Sequence, residues 1–287
     1  MKDSPISSIV LRGREFFVKR DDLIDPYLAG NKYRKLYTLL QTPPEKYHTL
    51  ISYGGTQSNA MLAIAALCKQ KGWKFLYYTK ELSQVQKQNK NGNFANSLEL
   101  GMYHKELPQE EYRDFVASLR LHFDEKVFVL DQGGASISAK EGVEVLAKEI
   151  RQSALSTDAI ATPSGTGTTA LYLAHALPEY TIYTTPCIGD ASYLQEQMLA
   201  LAPIPKNLVI LENEKKYHFA KPYREFFEIY QELFQAGIEF DLLYAPGMWK
   251  ALLEQTSQKI LYIHSGGVSG NESMLERYRA KGFFKEM

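Results

Sequence analysis

Short apolar runs alternate along this chain with longer stretches whose apolar residues recur at helical spacing. Residues 16–19, 49–53, 74–79, 126–130, 159–162, 181–185, 208–211 and 260–264 have the length and residue content of strands. Helices are expected at 59–71, at 138–153, and from the loop after 162 through 176. Glycines punctuate the two kinds of run: Gly54-Gly55, Gly133-Gly134, Gly165 and Gly167, and Gly266-Gly267. Strand, glycine turn and helix in repetition predict βαβ units and a parallel sheet. Residues 103–123 are the most polar long stretch and show the weakest helical pattern. No proline- or glycine-rich linker interrupts the chain. It forms either one domain or two that exchange the chain through ordinary helices.

Composition narrows the picture by exclusion. The 287 residues suffice for one large or two ordinary domains, and 45% hydrophobic with 23% charged residues is an ordinary globular balance. Lys plus Arg and Asp plus Glu number 33 each, with no basic stripe, so no nucleic-acid partner is expected. Cys68 and Cys187 supply neither a disulfide framework nor zinc spacing, and Cys68 reads as a small buried hydrophobe. His48, His104, His122, His175 and His218 lack metal-ligand spacing, so no metal is expected. The apolar run 60–68 is shorter than the ~20 residues of a membrane span, and the N-terminus carries no signal-peptide core. A soluble cytoplasmic protein with no membrane partner is expected.

Candidate chemistry gathers at one lysine and three loops. Lys32, in Gly30-Asn31-Lys32-Tyr33-Arg34-Lys35-Leu36, opens a helical run. The positive end of a helix dipole disfavours an ammonium, and a lysine that loses its proton can attack a carbonyl. Most lysines at helix starts are merely solvated, so the loops carry the weight. Gly54-Gly55-Thr56-Gln57-Ser58-Asn59 joins a strand to a strong helix, whose N-terminal N–H groups suit a carboxylate. Capping by Ser58 or Asn59 is the simpler role, but four consecutive hydrogen-bonding side chains exceed what one cap needs. Thr162-Pro163-Ser164-Gly165-Thr166-Gly167-Thr168-Thr169 also joins strand to helix, and its hydroxyls and N–H groups suit a phosphate. It is not a P-loop, because no lysine follows the glycines. Gly165, Gly167 and Ala170 satisfy G-x-G-x-x-A, which keeps a nucleotide-dependent oxidoreductase open as an alternative. The next strand ends in Thr185-Pro186 with Asp190 well past it, so a phosphate monoester suits the loop better than a pyrophosphate. The third loop, Asp241-Leu242-Leu243-Tyr244-Ala245-Pro246, places Tyr244 before a proline turn and a helix, although a lone tyrosine more often packs.

Together these segments resemble the 1-aminocyclopropane-1-carboxylate deaminase / D-cysteine desulfhydrase family, pyridoxal-phosphate enzymes of the tryptophan-synthase-β-like fold type II. The match runs in order through Val18-Lys19-Arg20-Asp21-Asp22-Leu23, Gly30 to Leu36, Gly54 to Asn59, Ser164 to Thr169, Asp241 to Tyr244 and His264-Ser265-Gly266-Gly267. The resemblance implies an α/β fold of two domains, each an open twisted parallel-type sheet with flanking helices. A larger cofactor domain would hold residues 1–36 plus 151–287, and a smaller one, 37–150, the substrate-carboxylate loop. Pyridoxal 5'-phosphate would be held by Lys32 as a Schiff base and by Asn59 at the ring hydroxyl. Ser164, Gly165, Thr166, Gly167 and Thr168 match the phosphate loop. Gln57, Ser58 and Asn59 would meet the substrate, with Ser58 binding its carboxylate or assisting proton transfer. Tyr244 matches an active-site tyrosine, and Tyr223, in Lys221-Pro222-Tyr223, matches a second at a shorter interval than the family's. A small amino-acid substrate and a homodimer are implied as well.

The departures from the family pattern bear on substrate. Cyclopropane deaminases carry a glutamate facing the pyridine nitrogen where this chain has Ala245, and Ser265 is the candidate neutral partner instead. The family's Asp-Pro-Val-Tyr is Asp241-Leu242-Leu243-Tyr244 here. These changes argue against cyclopropane opening and for a D-cysteine desulfhydrase-like β-elimination giving keto acid, ammonia and sulfide. Deamination of 1-aminocyclopropane-1-carboxylate and a catalytically inactive cofactor-binding relative are the alternatives. Lys19-Arg20-Asp21-Asp22 is expected to form structural ion pairs, Arg34 and Lys35 to face solvent or a phosphate rim, and His264 to pack or hydrogen-bond.

Overall fold

The computed structural model describes residues 3–28, 30–88, 91–119, 121, 124–134 and 139–284. Its strands are β1 (Ile6–Leu11), β2 (Arg14–Lys19), β3 (Thr49–Tyr53), β4 (Lys74–Lys80), β5 (Met102–Leu107), β6 (Val127–Val129), β7 (Ala159–Ala161), β8 (Thr181–Thr184), β9 (Leu208–Ile210) and β10 (Ile260–Ile263). The helices are α1 (Gly30–Lys35), α2 (Tyr37–Gln41), α3 (Asn59–Lys71), α4 (Gln84–Gln88), α5 (Gly92–Glu99), α6 (Tyr112–Leu119), α7 (Ala139–Gln152), α8 (Thr168–Ala176), α9 (Ala191–Leu199), α10 (Arg224–Gln235), α11 (Ala245–Gln255) and α12 (Asn271–Ala280).

Two sheets result, in the orders β1-β2-β10-β7-β8-β9 and β5-β4-β3-β6. Every pairing is parallel except the β1–β2 hairpin at one edge. The architecture is therefore the expected α/β one of parallel-type sheets with flanking helices. Ligands in such sheets bind beyond the strand C-termini, where the loops after β2, β3, β7 and β10 lie.

Two strands escape the periodicity. β1 carries Ser7-Ser8, leaves Val10 exposed, and is paired through its hairpin with β2. β5 runs from Met102 into the polar stretch 103–123; it is an edge strand, and polar residues protect an open edge. His122, in that stretch, and Ser138, the expected start of the next helix, lie outside the described residues.

Packing assigns the helices to the sheets. α3 is buried nearly all round, from Ala60 to Cys68, against Leu50, Phe75 and Met102 of the smaller sheet. α7 buries a stripe at helical spacing, Val143, Leu146, Ala147 and Ile150, with Ile160, Ala170 and Leu171 of the larger sheet's unit. We accordingly propose two structural units whose boundary precedes α7 instead of following it at 150.

The Lys19-to-Asp22 segment forms ion pairs, and those of Lys19 with Glu149 and of Asp21 with Arg34 are buried. Arg34 is fully buried, with Nη2 2.7 Å from Asp21 Oδ1 and Nη1 2.6 Å from Glu149 Oε1. Lys19 Nζ lies 2.9 Å from Glu149 Oε2, and Arg20 pairs with Asp22. Burial pulls the Arg34 guanidinium down, but its bonds to Asp21 and Glu149 more than offset this and hold it above its ordinary value. This network links β2, the turn after it, α1 and α7. For Arg34 and Lys35 the sequence suggests solvent or a phosphate rim. Both are buried, because the first turns of α1 are enclosed by α7 and by the loop after β7.

Candidate functional site

Gly30 begins the site. It takes φ +60°, and a Cβ there would lie 1.8 Å from the Ser265 carbonyl oxygen, so only glycine lets α1 start against the turn after β10. The Asn31 N–H donates to that same carbonyl at 3.3 Å. The close approach puts Lys32 and Ser265 on the wall of one cavity of about 300 Å³.

The cavity gathers nearly every residue singled out from the sequence. Lys32, Gln57, Ser58, Asn59, Ser164, Gly165, Thr166, Gly167, Thr168, Tyr244 and Ser265 all line it. Desolvation lowers the Lys32 amine to about 8, while Asp241 pulls weakly the other way. Among the described residues no carboxylate forms an ion pair with it. Ser58 both lines the cavity and caps α3, its Oγ accepting from the Met61 N–H at 3.2 Å. The capping role and the site role therefore coexist in one residue. Asn59 accepts from Asn93 Nδ2 at 2.7 Å, and Asn93 in turn accepts from Ser269. Gly267, at φ +90°, leaves room for the Asn59 amide: a Cβ there would lie 2.4 Å from its Nδ2. Gln57 is held from outside by Ser273 Oγ at 2.9 Å.

The loop after β7 is built as an anion cradle. Gly167 takes the left-handed N-cap position of α8, at φ 72°, and Thr168 and Thr169 open the helix with unpaired N–H groups. Ser164 Oγ is engaged by Thr184 Oγ1 at 2.6 Å, and Thr166 Oγ1 lies 3.0 Å from Thr168 Oγ1. Thr169 Oγ1 and Ser265 Oγ are buried with no hydrogen-bond partner. Buried polar atoms are seldom left so, and an orphan facing a cavity marks a place for a ligand atom.

Three cavity residues went unread in the sequence, Gln132, Ile188 and Phe219, and a fourth, Lys35, was read only as facing solvent or a phosphate rim. Lys35 Nζ donates to Thr166 Oγ1 at 3.3 Å and to the Gly133 carbonyl at 3.4 Å. Burial, then the charge of Lys32, drives its amine well below the ordinary lysine value. Lys35 directly follows the Tyr33-Arg34 pair in α1, and its contact with Thr166 puts it beside the loop expected to hold a phosphate. Tyr223 is not on the cavity wall. Its hydroxyl accepts from the His218 N–H at 3.0 Å, and its ring packs edge-on against Tyr217. Phe219 stands in the cavity instead, 5.2 Å from the Tyr244 ring. Tyr244 is fixed from its backbone: Asp241 Oδ1 accepts from the N–H groups of Leu243 and Tyr244 at 3.0 and 2.6 Å. Burial lifts the Tyr244 phenol well above its ordinary range, so it remains a neutral donor.

The far end of the cavity carries no acid. Among the described residues lining it there is no Asp or Glu. Ala245 is buried in the core with Met248 and Trp249. Burial raises the Asp241 carboxyl to about 6, and its oxygen is engaged by backbone N–H groups. His264 packs flat on Phe240, accepts from the Gly266 N–H, and lies 2.8 Å from the Glu239 carbonyl, which marks it as structural. Among the described residues no cluster of His, Cys, Asp and Glu could hold a metal ion, and no helix is long and apolar enough to cross a membrane.

Comparison with known proteins agrees with this geometry. No family model matches the chain. A Thermotoga maritima protein with the provisional name 1-aminocyclopropane-1-carboxylate deaminase is 27% identical over 286 residues, covering 90% of each chain. A Serratia proteamaculans D-cysteine desulfhydrase is 25% identical over 293 residues, covering 89% of this chain and 87% of its own. The solved structure of a homologue of 1-aminocyclopropane-1-carboxylate deaminase superposes with a TM-score of 0.77 at 22% identity, over 96% of this chain and 94% of that one. The chain is thus related over nine-tenths of its length to proteins named for these two activities, and its fold is that of the fold type II pyridoxal-phosphate enzymes.

Proposed function

We propose that this protein is a pyridoxal-phosphate-dependent lyase or deaminase acting on a small amino acid, by a D-cysteine desulfhydrase-like β-elimination. The observation that carries this reading is the meeting, in one cavity, of a lysine amine lowered to about 8, a hydroxyl-rich helix N-terminus and two orphaned hydroxyls.

These residues fit the cofactor. Lys32 offers the amine for its aldehyde, and the N–H groups opening α8 with Thr166, Thr168 and Thr169 offer donors for its phosphate. Lys35 Nζ adds a further hydrogen-bond donor on the same side. Ser265 Oγ, lacking any partner, is available to the ring nitrogen. The cofactor, when bound, supplies an electron sink for charge developing at the substrate's α carbon.

The chain's own groups do the rest. Lys32 Nζ, neutral for part of its population near pH 8, can take a proton and return it. The Gln57-Ser58-Asn59 turn at the start of α3 receives a carboxylate with backbone N–H groups and the Ser58 hydroxyl. Tyr244, held neutral by burial, can donate a hydrogen bond to a leaving group. With no carboxylate among the described residues of the wall, none of them holds the ring nitrogen protonated. That favours loss of a good leaving group such as sulfide over opening of a cyclopropane ring. The dinucleotide reading is weakened because Asp190 caps α9, accepting from the Tyr193 N–H at 3.0 Å, instead of standing at the end of β8.

Only a neutral amine adds to an aldehyde, so capture of pyridoxal phosphate should speed up about tenfold per pH unit and level off above about 8. Stopped-flow absorbance would show this bend, whereas a bend near the ordinary lysine value would place the reacting amine elsewhere. Function is tested by screening the loaded protein with D-cysteine, L-cysteine, D-serine, β-chloro-D-alanine and the cyclopropane amino acid, reading keto acid, ammonia and sulfide. Sulfide from a cysteine enantiomer with no release from the cyclopropane is the expected result. A loaded protein silent on every substrate would select the inactive binding relative.

A further inference from the structure

A second cavity, also of about 300 Å³, lies directly behind the first. Its wall includes Cys187, Asn213, Tyr217, Leu243 and Gly247, and it shares two residues with the first cavity, Phe219 and Tyr244. The two rings, 5.2 Å apart and inclined at 57°, form the partition. They are not equivalent. Tyr244 is locked by the Asp241 turn and by the start of α11. Phe219 belongs to residues 211–223, the irregular connection between β9 and α10. Its neighbour Ala220 takes φ +59°, a left-handed conformation that alanine rarely adopts, and Arg277 Nη1 holds the Ala220 carbonyl at 3.0 Å. The backbone is thus constrained where it presents the Phe219 ring to the partition.

The second cavity is chemically unfinished. Asn213 Nδ2 donates to the Gly247 carbonyl at 3.1 Å, but Asn213 Oδ1 is buried with no partner. Burial raises the Cys187 thiol well above its ordinary range, so it is inert wall rather than nucleophile.

We propose that Phe219 sets the substrate's side-chain length: its ring closes the amino-acid site to small side chains, and the cavity behind it accommodates an unbranched side chain ending in a hydrogen-bond donor when that ring is removed or displaced. The buried Asn213 Oδ1 is the acceptor for that donor. This rests on the reading of the first cavity as the amino-acid site, and it deepens that reading by naming the residue that limits the substrate.

The test uses binding, with no leaving group required. Alanine, 2-aminobutyrate, norvaline, norleucine and glutamine, each as both enantiomers, are titrated against the cofactor-loaded wild type and the Phe219→Ala and Phe219→Leu variants, with cofactor absorbance as the readout. In the wild type, affinity should fall beyond 2-aminobutyrate. In Phe219→Ala it should instead rise roughly fourfold per added methylene, the transfer of one CH₂ from water. Glutamine should exceed norleucine in Phe219→Ala, and an added Asn213→Leu change should remove that excess. Phe219→Leu should fall between the two and covers the case in which the alanine variant does not fold. Unchanged length dependence in a loaded variant overturns the proposal. Failure of the wild type to show any cofactor absorbance would overturn the functional reading itself.

Discussion

Replacing Lys32 with alanine is expected to abolish the visible absorbance that forms when the wild type meets pyridoxal phosphate, and to lower turnover by at least about 10³-fold. The reason lies in how few groups in the cavity can do covalent chemistry. Cys187 is outside it, and its thiol is driven up by burial. Tyr244 is held protonated. Lys35 is engaged by Thr166 and Gly133. That leaves Lys32, whose amine is desolvated and without an ion-pair partner among the described residues. The cradle at the start of α8 is untouched by the substitution, so the variant should still bind the cofactor through its phosphate. Loss of absorbance with retained binding separates a chemical role from a structural one. A Lys32→Ala variant that kept full turnover would remove the basis of the functional proposal.

Replacing Arg34 with alanine should destabilise the protein by about 3–5 kcal/mol, the usual cost of stranding a buried charge by deleting its partner. Here two carboxylates lose that partner. Asp21 is fully buried and would retain Ser4 Oγ, while Glu149 would retain Lys19. For a chain of this size the loss corresponds to a fall in Tm on the order of 10 °C. Arg34→Met should cost nearly as much, because it restores volume without charge. A shift of only a degree or two in thermal unfolding would mean that the network does not hold α1 in place. The effect should reach the site as well, because Arg34 and Lys32 share that short helix and the network sets its rotation.

The residues that sequence reading found are those whose signal is local. Glycine turns between a strand and a helix mark the Gly54-to-Asn59 and Ser164-to-Thr169 loops, and α3 begins and ends where its cap and apolar run say it should. What could not be read depends on distant segments meeting. β1 and β5 are edge strands whose pairing, not whose periodicity, makes them strands. Arg34 looks like a surface arginine until Glu149, 115 residues away, closes over it. Lys35 becomes a cavity residue only because the loop after β7 reaches α1. Tyr223 and Phe219 lie four positions apart on a connection with no periodicity, so nothing local says which faces the cavity. The Tyr244 turn was legible, but that no described residue lining the cavity is a carboxylate required the folded wall.

The central claim is that Lys32 is the amine that holds the cofactor, and chemical trapping tests it most directly. The wild-type protein is loaded with pyridoxal phosphate, reduced with borohydride and digested, and the modified peptide is mapped by mass. The account predicts one phosphopyridoxyl group, on Lys32. A label on Lys35, on another lysine, or on none would contradict it.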